Sequence, residues 1–165
     1  MSMNPDKFRE VMSQFATGIT VVTTCHDEEI YGLTVNAFCS VSLDPSLILV
    51  CINQHGRCHE LILRSRVFAV NVLSEDQREI SERFAIDYLP PDELFSGIDY
   101  KEERTGVPIL EDVIGWLECR LHTHYPAGDH TIFIGEVLTI GQQREKKPLV
   151  FFQSQYHTNN MEIVH

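Results

Sequence analysis

The first regular pattern of apolar side chains in the chain predicts a helix near the N-terminus. Four of these side chains recur at the i, i+3, i+4 and i+7 spacing of one helix face: Phe8, Val11, Met12 and Phe15. Asn4 is a good N-cap, and Pro5 suits the first helical position. Gly18 interrupts the pattern, so we expect the helix to end before it.

Beyond residue 18 the chain takes on the pattern of β-strands. Runs of β-branched and aromatic residues between polar turns predict strands over residues 19–24, 31–38, 46–52, 68–72, 116–125, 130–140 and 149–152. Two helices are predicted between strands, over residues 59–64 and 74–84. Pro90-Pro91 forbids a regular element within residues 85–108, which we expect to form a surface excursion with some helix.

The strand predicted over residues 116–125 should have one buried and one exposed face, because its side chains alternate in polarity. The buried face is expected to hold Leu117, Cys119, Leu121 and Thr123. The exposed face is expected to hold Glu118, Arg120, His122 and His124.

About six or seven strands at short spacing, joined mainly by turns, favour an antiparallel barrel over a parallel doubly wound sheet. The expected fold class is mainly β with peripheral helices, in one domain over residues 1–165. A barrel this small fills its interior with side chains. A ligand should therefore lie on the barrel rim or at an interface between subunits.

Composition and charge narrow the classes of partner. The 165 residues are 43% hydrophobic and 22% charged, as in ordinary globular domains. The net charge of −11 argues against nucleic acid or an anionic membrane as a partner. The longest strongly apolar run, residues 47–52, is too short to span a bilayer, and no apolar signal core follows Met1.

The five cysteines indicate a reducing compartment. Their number is odd, no two form a C-x-x-C pair, and four lie in or beside apolar runs. We therefore expect free thiols and a cytoplasmic location.

Eight histidines raise the question of a metal site. His122 and His124 share one face of a predicted strand, and His55 and His59 lie four residues apart. No compact Cys/His quartet accompanies them. We therefore predict no metal and interpret the histidines as side chains of exposed faces.

Three polar segments are candidates for binding. Residues 32–45 could be a hairpin arm facing water, or a rim whose hydroxyl, amide and backbone N–H groups meet the polar edge of a planar ligand. Residues 53–59 lead into a helix, and Arg57 with two histidines near a helix N-terminus can hold a phosphate; a solvated loop is the alternative. Residues 128–131 could be a simple turn, with Asp129 bonded to its own backbone, or could direct an exposed His130 at a substrate.

Several short motifs follow one another along the chain: FATGITVVTT (15–24), GLTVNAF (32–38), SVSLDP (40–45), FAVNVL (68–73), FA (84–85), TGVP (105–108), GDH (128–130) and Tyr156. Their order resembles that of the short-chain flavin reductases, which have the FMN-binding split-barrel fold. The resemblance runs from about Phe8 to Tyr156.

This resemblance implies a Greek-key split barrel, a homodimer, and FMN or FAD in a groove near the dimer interface. The isoalloxazine ring and ribityl chain would be lined by Thr34, Val35, Asn36, Ala37, Phe38, Ser40 and Val41. The ribityl-phosphate end would be lined by Cys51, Ile52, Asn53, His55 and Arg57. Members of the family often carry Ser, Thr or Lys in this second stretch, so here Arg57 would supply the charge for the phosphate.

The resemblance also implies NADH or NADPH as co-substrate. Gly128, Asp129 and His130 would lie beside the nicotinamide, with His130 as the catalytic group that positions it, and Tyr156 would close the site. The implied activity is hydride transfer from the nicotinamide to the flavin, with reduced flavin passing to a partner flavin-dependent monooxygenase. A barrel that holds FMN tightly for electron transfer and a barrel that makes only protein contacts are the alternatives.

Overall fold

Strands form most of the fold within residues 3–143 and 145–158, which the computed structural model describes. The helices are α1 (Pro5–Met12), α2 (Arg57–Ser65), α3 (Arg78–Phe84) and α4 (Pro91–Leu94), with a 3₁₀ turn over Glu75–Gln77. The strands are β1 (Thr17–Gly18), β2 (Thr20–His26), β3 (Glu29–Val35), β4 (Phe38–Leu43), β5 (Ser46–Asn53), β6 (Val67–Val72), β7 (Tyr100–Glu102), β8 (Pro108–Leu110), β9 (Gly115–Ala127), β10 (His130–Gln142), β11 (Leu149–Phe152) and β12 (Gln155–Thr158). Among these helices none has the length and apolar character needed to cross a membrane.

Seven strands form the main sheet, in the order β3-β2-β6-β9-β10-β5-β4 with every pair antiparallel. A small sheet, β1-β11-β12, and the hairpin β7-β8 flank it. The inner side of the main sheet carries the core, and α2 covers it with Leu61 and Ile62. Fully buried core side chains from four of the strands are Val22, Val50, Phe68, Val70 and Phe133. The prediction of a mainly β fold with peripheral helices is confirmed.

Helix α1 begins as predicted but packs on nothing within the described chain. The Asn4 side chain accepts a hydrogen bond from the backbone N–H of Asp6 at 2.8 Å, which caps the helix. No residue of α1 is buried. The predicted apolar face is 51–71% exposed in Phe8, Val11, Met12 and Phe15. This face is therefore exposed apolar surface, of the kind that often marks interaction sites.

The single strand predicted over residues 31–38 is wrong, because the chain turns a corner there. β3 ends at Val35 and β4 begins at Phe38. The backbone N–H of Phe38 donates to the carbonyl of Asn36 at 3.0 Å, which fixes the corner. Residues 36 and 37 consequently lie at the edge of the sheet, where a ligand can reach their backbone.

Gly32 allows α3 to pack closely on β3. A Cβ at this position would come within 2.5 Å of the Phe84 ring. Only glycine therefore lets this aromatic side chain lie flat against the strand, and the contact joins two of the short motifs in the sequence.

The predicted exposure of Glu118 is also wrong. Its side chain is fully buried, because residues 104–109 cover the outer face of the sheet there and bury Val107 and Ile109 against Ala69. The Glu118 carboxylate accepts hydrogen bonds from the backbone N–H groups of Arg104 (3.1 Å) and Thr105 (2.6 Å) and from the Thr105 hydroxyl. These bonds replace the water that the pattern of the strand led us to expect.

Residues 85–108 are only partly a surface excursion. Some helix is present as expected, but the prediction that Pro90-Pro91 forbids a regular element is wrong. The helix α4 begins at Pro91, because proline suits the first helical position, and Leu94 and Phe95 at its end are buried. Phe95 contacts Phe84 edge to face, with ring centroids 5.2 Å apart. The segment therefore contributes side chains to the core.

Candidate active site

The end of β5 brings several candidate residues to one face of the sheet. Side chains two residues apart on a strand point to the same side, so Leu49, Cys51 and Asn53 share the outer face of β5. His130, the first residue of β10, pairs directly with Asn53. Since paired residues of antiparallel strands lie on the same face, His130 stands beside Asn53.

An apolar cleft of about 690 Å³ begins on this face. It lies between the segment that joins α1 to β1, the corner before β4, and the outer face of β5. Its lining residues are Met12, Phe15, Ala16, Thr17, Gly18, Thr20, Asn36, Ala37, Phe38, Cys39, Leu49, Cys51 and Val72. The cleft therefore offers apolar walls with a few polar groups, as sites for planar cofactors do.

Thr17 carries an unusual feature of this apolar cleft. Its Oγ1 atom is buried and has no hydrogen-bond partner among the described residues. A buried hydroxyl without a partner costs about 1–3 kcal/mol, so such groups are rare without a reason. Here a ligand with a polar edge would supply the missing partner.

A second, polar cavity of about 320 Å³ lies further along β5. It is lined by Tyr31, Leu33, Asn53, His55, Gly56, Arg57, Cys58, Ile86, Asp87 and Tyr88. The N-terminus of α2 opens here, and its N-cap, Gly56, provides no side-chain cap. The first backbone N–H groups of a helix attract anions, so this end of the site suits a phosphate.

The apolar cleft and the polar cavity follow one another along the same strand. Cys51 lines the first and Asn53 lines the second, and residues two apart on a strand are separated by about 7 Å. We refer to these two neighbouring cavities together as the groove. His130 lines neither cavity, but it lies on the adjacent strand and pairs with Asn53.

The guanidinium of Arg57 is already paired within the chain. Its Nε donates to Glu29 Oε1 at 2.8 Å, its Nη2 donates to Glu29 Oε2, and its Nη1 donates to Glu60 Oε2 at 2.6 Å. The hydrogen bonds from Arg57 lower the pKa of Glu29, and the same bonds raise the pKa of Arg57. The cation that the sequence suggested for a phosphate is thus bound to two carboxylates.

The predicted turn at residues 128–130 holds its histidine ring by a local contact. Gly128 has φ +65°, a backbone conformation that suits glycine. Asp129 Oδ1 lies 2.7 Å from His130 Nδ1, and the hydrogen bond from His130 lowers the pKa of Asp129. This contact fixes the orientation of the ring, whose Nε2 is on the opposite edge and can meet a substrate.

Gln54 ties this turn to the loop after β5. Its backbone N–H donates to the carbonyl of Asp129 at 3.0 Å, and its side-chain amide donates to the carbonyl of His130 at 2.9 Å. The phosphate-side loop and the histidine turn are therefore parts of one hydrogen-bonded unit.

The other histidines near this end have structural contacts. His59 Nε2 is 2.9 Å from the Thr131 hydroxyl, and burial lowers the pKa of His59. His124 stacks on Phe133 with ring centroids 6.0 Å apart. Within residues 3–143 and 145–158, no group of three or more His, Cys, Asp or Glu side chains could hold a metal ion.

The structure brings together about half of the residues suggested for the cofactor. Asn36, Ala37, Phe38 and Cys51 line the apolar cleft, and Asn53, His55 and Arg57 line the polar cavity. Five others line neither cavity: Thr34, Val35, Ser40, Val41 and Ile52. Val35 and Ile52 are buried, so only their backbone could reach a ligand in the groove.

Thr34 and Tyr156 both contact Ser81, and neither lines the apolar cleft or the polar cavity. The Thr34 hydroxyl donates to the carbonyl of Ser81 at 2.7 Å, and the Tyr156 hydroxyl is 3.0 Å from Ser81 Oγ. Tyr156 lies on β12, in the small sheet to which β1 also belongs. Its ring is therefore placed near the strand that contributes Thr17 to the apolar cleft.

Several residues of the groove were not among the sequence-based candidates. Leu49 follows from the alternation of β5, once Cys51 is placed on the outer face. Met12 and Phe15 are signalled by an apolar helix face that remains exposed. Thr17 and Gln54 gave no separate signal, because their positions depend on contacts between distant segments.

Comparison with known proteins identifies the family. The sequence profile described as "Flavin reductase like domain" matches residues 12–160. The chain belongs to this family. Family membership confirms the recognition made from the motifs and, with the sheet described above, the predicted split-barrel class.

Individual relatives of this flavin reductase-like protein span most of its length. It is 37% identical over 155 residues to the reductase subunit HsaB of a flavin-dependent monooxygenase from Rhodococcus jostii, covering 94% of this chain and 78% of that protein. It is 42% identical to a flavin reductase (NADH) from Kitasatospora aureofaciens, covering 92% and 80%. The solved structure of the NADH:FAD oxidoreductase SgcE6 from Streptomyces globisporus, in complex with NAD and FAD fragments, superposes with a TM-score of 0.90 at 32% identity, covering 99% of each chain.

Proposed function

We propose that the chain reduces FMN or FAD with NADH or NADPH, and that its groove along β5 is the active site. Membership of the flavin reductase-like family sets the enzyme class, a flavin oxidoreductase. We assign the site mainly from the outer face that β5 and β10 share. Cys51 and Asn53 on this face line the two cavities, and His130, which lines neither, pairs with Asn53.

The residues of the groove fit a flavin. The apolar cleft suits the ring system, and the unpartnered Thr17 hydroxyl can bond to a polar atom on the ring edge. The uncapped N-terminus of α2 suits the phosphate at the other end. This distribution of apolar and anion-binding groups supports a phosphorylated, planar ligand that lies along the strand.

A bound flavin supplies a ring that accepts a hydride, and NADH or NADPH supplies the hydride. The chain contributes orientation, because the reacting atoms must approach to about 3–3.5 Å. Asp129 and Gln54 hold the His130 ring beside Asn53, where its Nε2 can bond to the nicotinamide carboxamide or to a phosphate oxygen of the nucleotide. The apolar walls of the cleft would keep water away from a ring bound there.

We also propose a homodimer in which a second copy covers the exposed apolar surface next to the groove. Met12 and Phe15 line the apolar cleft, and the adjacent face of α1 is exposed. Tyr125, on the outer face of β9, is 57% exposed. Apolar surface of this kind supports an interface between copies, which would also close the groove.

A monooxygenase is the proposed acceptor of the reduced flavin. This proposal is supported by the relative in Rhodococcus jostii, which is the reductase subunit of a flavin-dependent monooxygenase. We further propose a cytoplasmic location, which the five free cysteines support.

The test of the proposed function mixes the purified protein with NADH or NADPH and FMN or FAD and follows the loss of reduced nicotinamide. At least one of the four combinations should be accelerated over a protein-free control, and none accelerated would contradict the proposal. Dialysis of the purified protein distinguishes the proposed reductase from the alternative, a flavoprotein that holds FMN tightly. A yellow protein that keeps its flavin and does not turn over added flavin would favour that alternative.

A further inference from the structure

The carboxylate of Glu29 pairs with the guanidinium of Arg57, and Arg57 lines the polar cavity. The contact is bidentate, because Arg57 Nε and Nη2 each donate to one of the two Glu29 oxygens. Bidentate pairs of this kind have the most favourable geometry that arginine forms with a carboxylate, and a phosphate uses the same two donors. Glu29 therefore occupies the edge of Arg57 that would bind a phosphate.

Arg57 is placed where a phosphate would come. It lines the polar cavity together with His55 and Gly56, at the uncapped start of α2. The side chains of Arg57 and Glu29 are 35% and 33% exposed, so their pairing is reached by water and can be exchanged. A phosphate at the helix N-terminus and the Glu29 carboxylate thus compete for one cation.

Glu60 holds the third guanidinium nitrogen but has a second cation of its own. Its Oε1 accepts from Arg64 Nη2 at 2.6 Å, on the same helix. If Arg57 turned towards a phosphate, Glu60 would keep a positive partner, whereas Glu29 would lose its bidentate one. Of the two carboxylates on Arg57, Glu29 is therefore the one that competes with a phosphate for the guanidinium. Asp87 also lines the polar cavity and is the same in every variant described below.

We propose that Glu29 is a specificity-determining residue that limits how strongly the groove prefers phosphorylated flavins over riboflavin. This inference rests on the proposed function. By holding Arg57, Glu29 withdraws the guanidinium from the phosphate and adds a carboxylate that repels it. Riboflavin lacks the phosphate, so its binding should be indifferent to Glu29.

The test measures binding of FMN and of riboflavin separately, by quenching of flavin fluorescence at one fixed ionic strength. Glu29→Gln should raise the affinity for FMN by about three- to tenfold, the range of a partly exposed charged hydrogen bond. The affinity of the Glu29→Gln variant for riboflavin should stay within about twofold of that of wild type. The FMN gain should shrink as salt is added, because exposed charges are screened.

Two further variants make the test specific. The double variant Glu29→Gln, Arg57→Met should not show the increased affinity for FMN, because that increase depends on the freed guanidinium of Arg57. Asp112→Asn removes one negative charge from an exposed pair with Lys146 (3.0 Å), away from both cavities, and should leave the FMN affinity within about twofold. Asparagine tolerates the left-handed conformation of Asp112, so this control should fold.

The inference is overturned if Glu29→Gln leaves the ratio of FMN to riboflavin affinity as in wild type, or if the gain persists without Arg57. Riboflavin binding by each variant serves as the check of folding, and Glu29→Ser replaces Glu29→Gln if that check fails. Failure of wild type to bind either flavin would overturn the proposed function as well, whereas normal binding with an unchanged ratio overturns only the role of Glu29.

Discussion

Gln54 donates its side-chain N–H to the carbonyl oxygen of His130 at 2.9 Å, across the gap between the loop after β5 and the start of β10. Its backbone N–H bonds to the neighbouring carbonyl of Asp129. One residue thus fixes two successive peptide units of the turn that presents His130. The proposed phosphate end of the groove and the proposed nicotinamide side are thereby coupled.

The first prediction follows from this contact. Gln54→Met removes the side-chain donor without adding a charge, so the His130 turn should lose one hydrogen bond, worth about 1 kcal/mol. We expect the KM for NADH to rise by roughly fivefold, while riboflavin affinity stays unchanged. Steady-state kinetics and fluorescence titration check the two parts. If the affinity for riboflavin fell as much as the KM for NADH rose, Gln54 would have a general structural role instead.

The second prediction concerns Asp129, which orients the His130 ring. Its pKa is lowered by the hydrogen bond from His130, so the carboxylate stays charged, and the contact intact, at all pH values above its ordinary pKa of about 3.9. The contact is lost only as pH falls through the lowered value. Asp129→Asn should therefore raise the KM for NADH throughout the neutral range, and by less than His130→Ala does. A KM equal to that of wild type would contradict the orienting role.

The third prediction uses the unpartnered hydroxyl of Thr17. Thr17→Val removes a buried polar group, so the free protein should gain about 1 kcal/mol in free energy of unfolding, while riboflavin affinity falls by roughly three- to tenfold. Thr20→Val is the matched control, because the Thr20 hydroxyl donates to the carbonyl of Val35 at 2.6 Å. That variant should lose stability. If Thr17→Val also lost stability, the hydroxyl would have a partner within the protein.

The fourth prediction concerns the buried Glu118. Glu118→Gln would place an amide where a carboxylate accepts three hydrogen bonds, and we expect a loss of about 2–3 kcal/mol in free energy of unfolding. Urea denaturation measures it. Glu136→Gln, which breaks the exposed pair with Arg120 (2.9 Å), should cost less than about 1 kcal/mol. Similar losses in both variants would contradict the account of Glu118.

The sequence was sufficient for the parts of this protein that depend on local pattern. The alternation in residues 46–52 predicts β5, and Asn4 with Pro5 predicts the start of α1, because these signals arise within a few neighbouring residues. The motifs from FATG to GDH were sufficient for the family. The His130 turn also needed only adjacent residues, since Asp129 and Gly128 form it.

The rest depends on contacts between distant segments, which no short pattern contains. Glu29 pairs with Arg57 from 28 positions away, so the sequence suggested a free cation where the structure has a paired one. Glu118 accepts hydrogen bonds from Arg104 and Thr105, which lie 14 and 13 positions earlier in the chain. The groove itself exists because β5 and β10 are neighbours in the sheet, although about eighty residues separate them in the chain.

The most direct test of the proposed active site is anaerobic mixing of the protein and FMN with NADH, following the bleaching of the flavin absorbance. We predict bleaching much faster than without protein, at a rate that saturates with NADH and is slowed in His130→Ala by more than in Gln54→Met. Bleaching no faster than in the protein-free mixture, with NADH or NADPH and with FMN or FAD, would contradict the account.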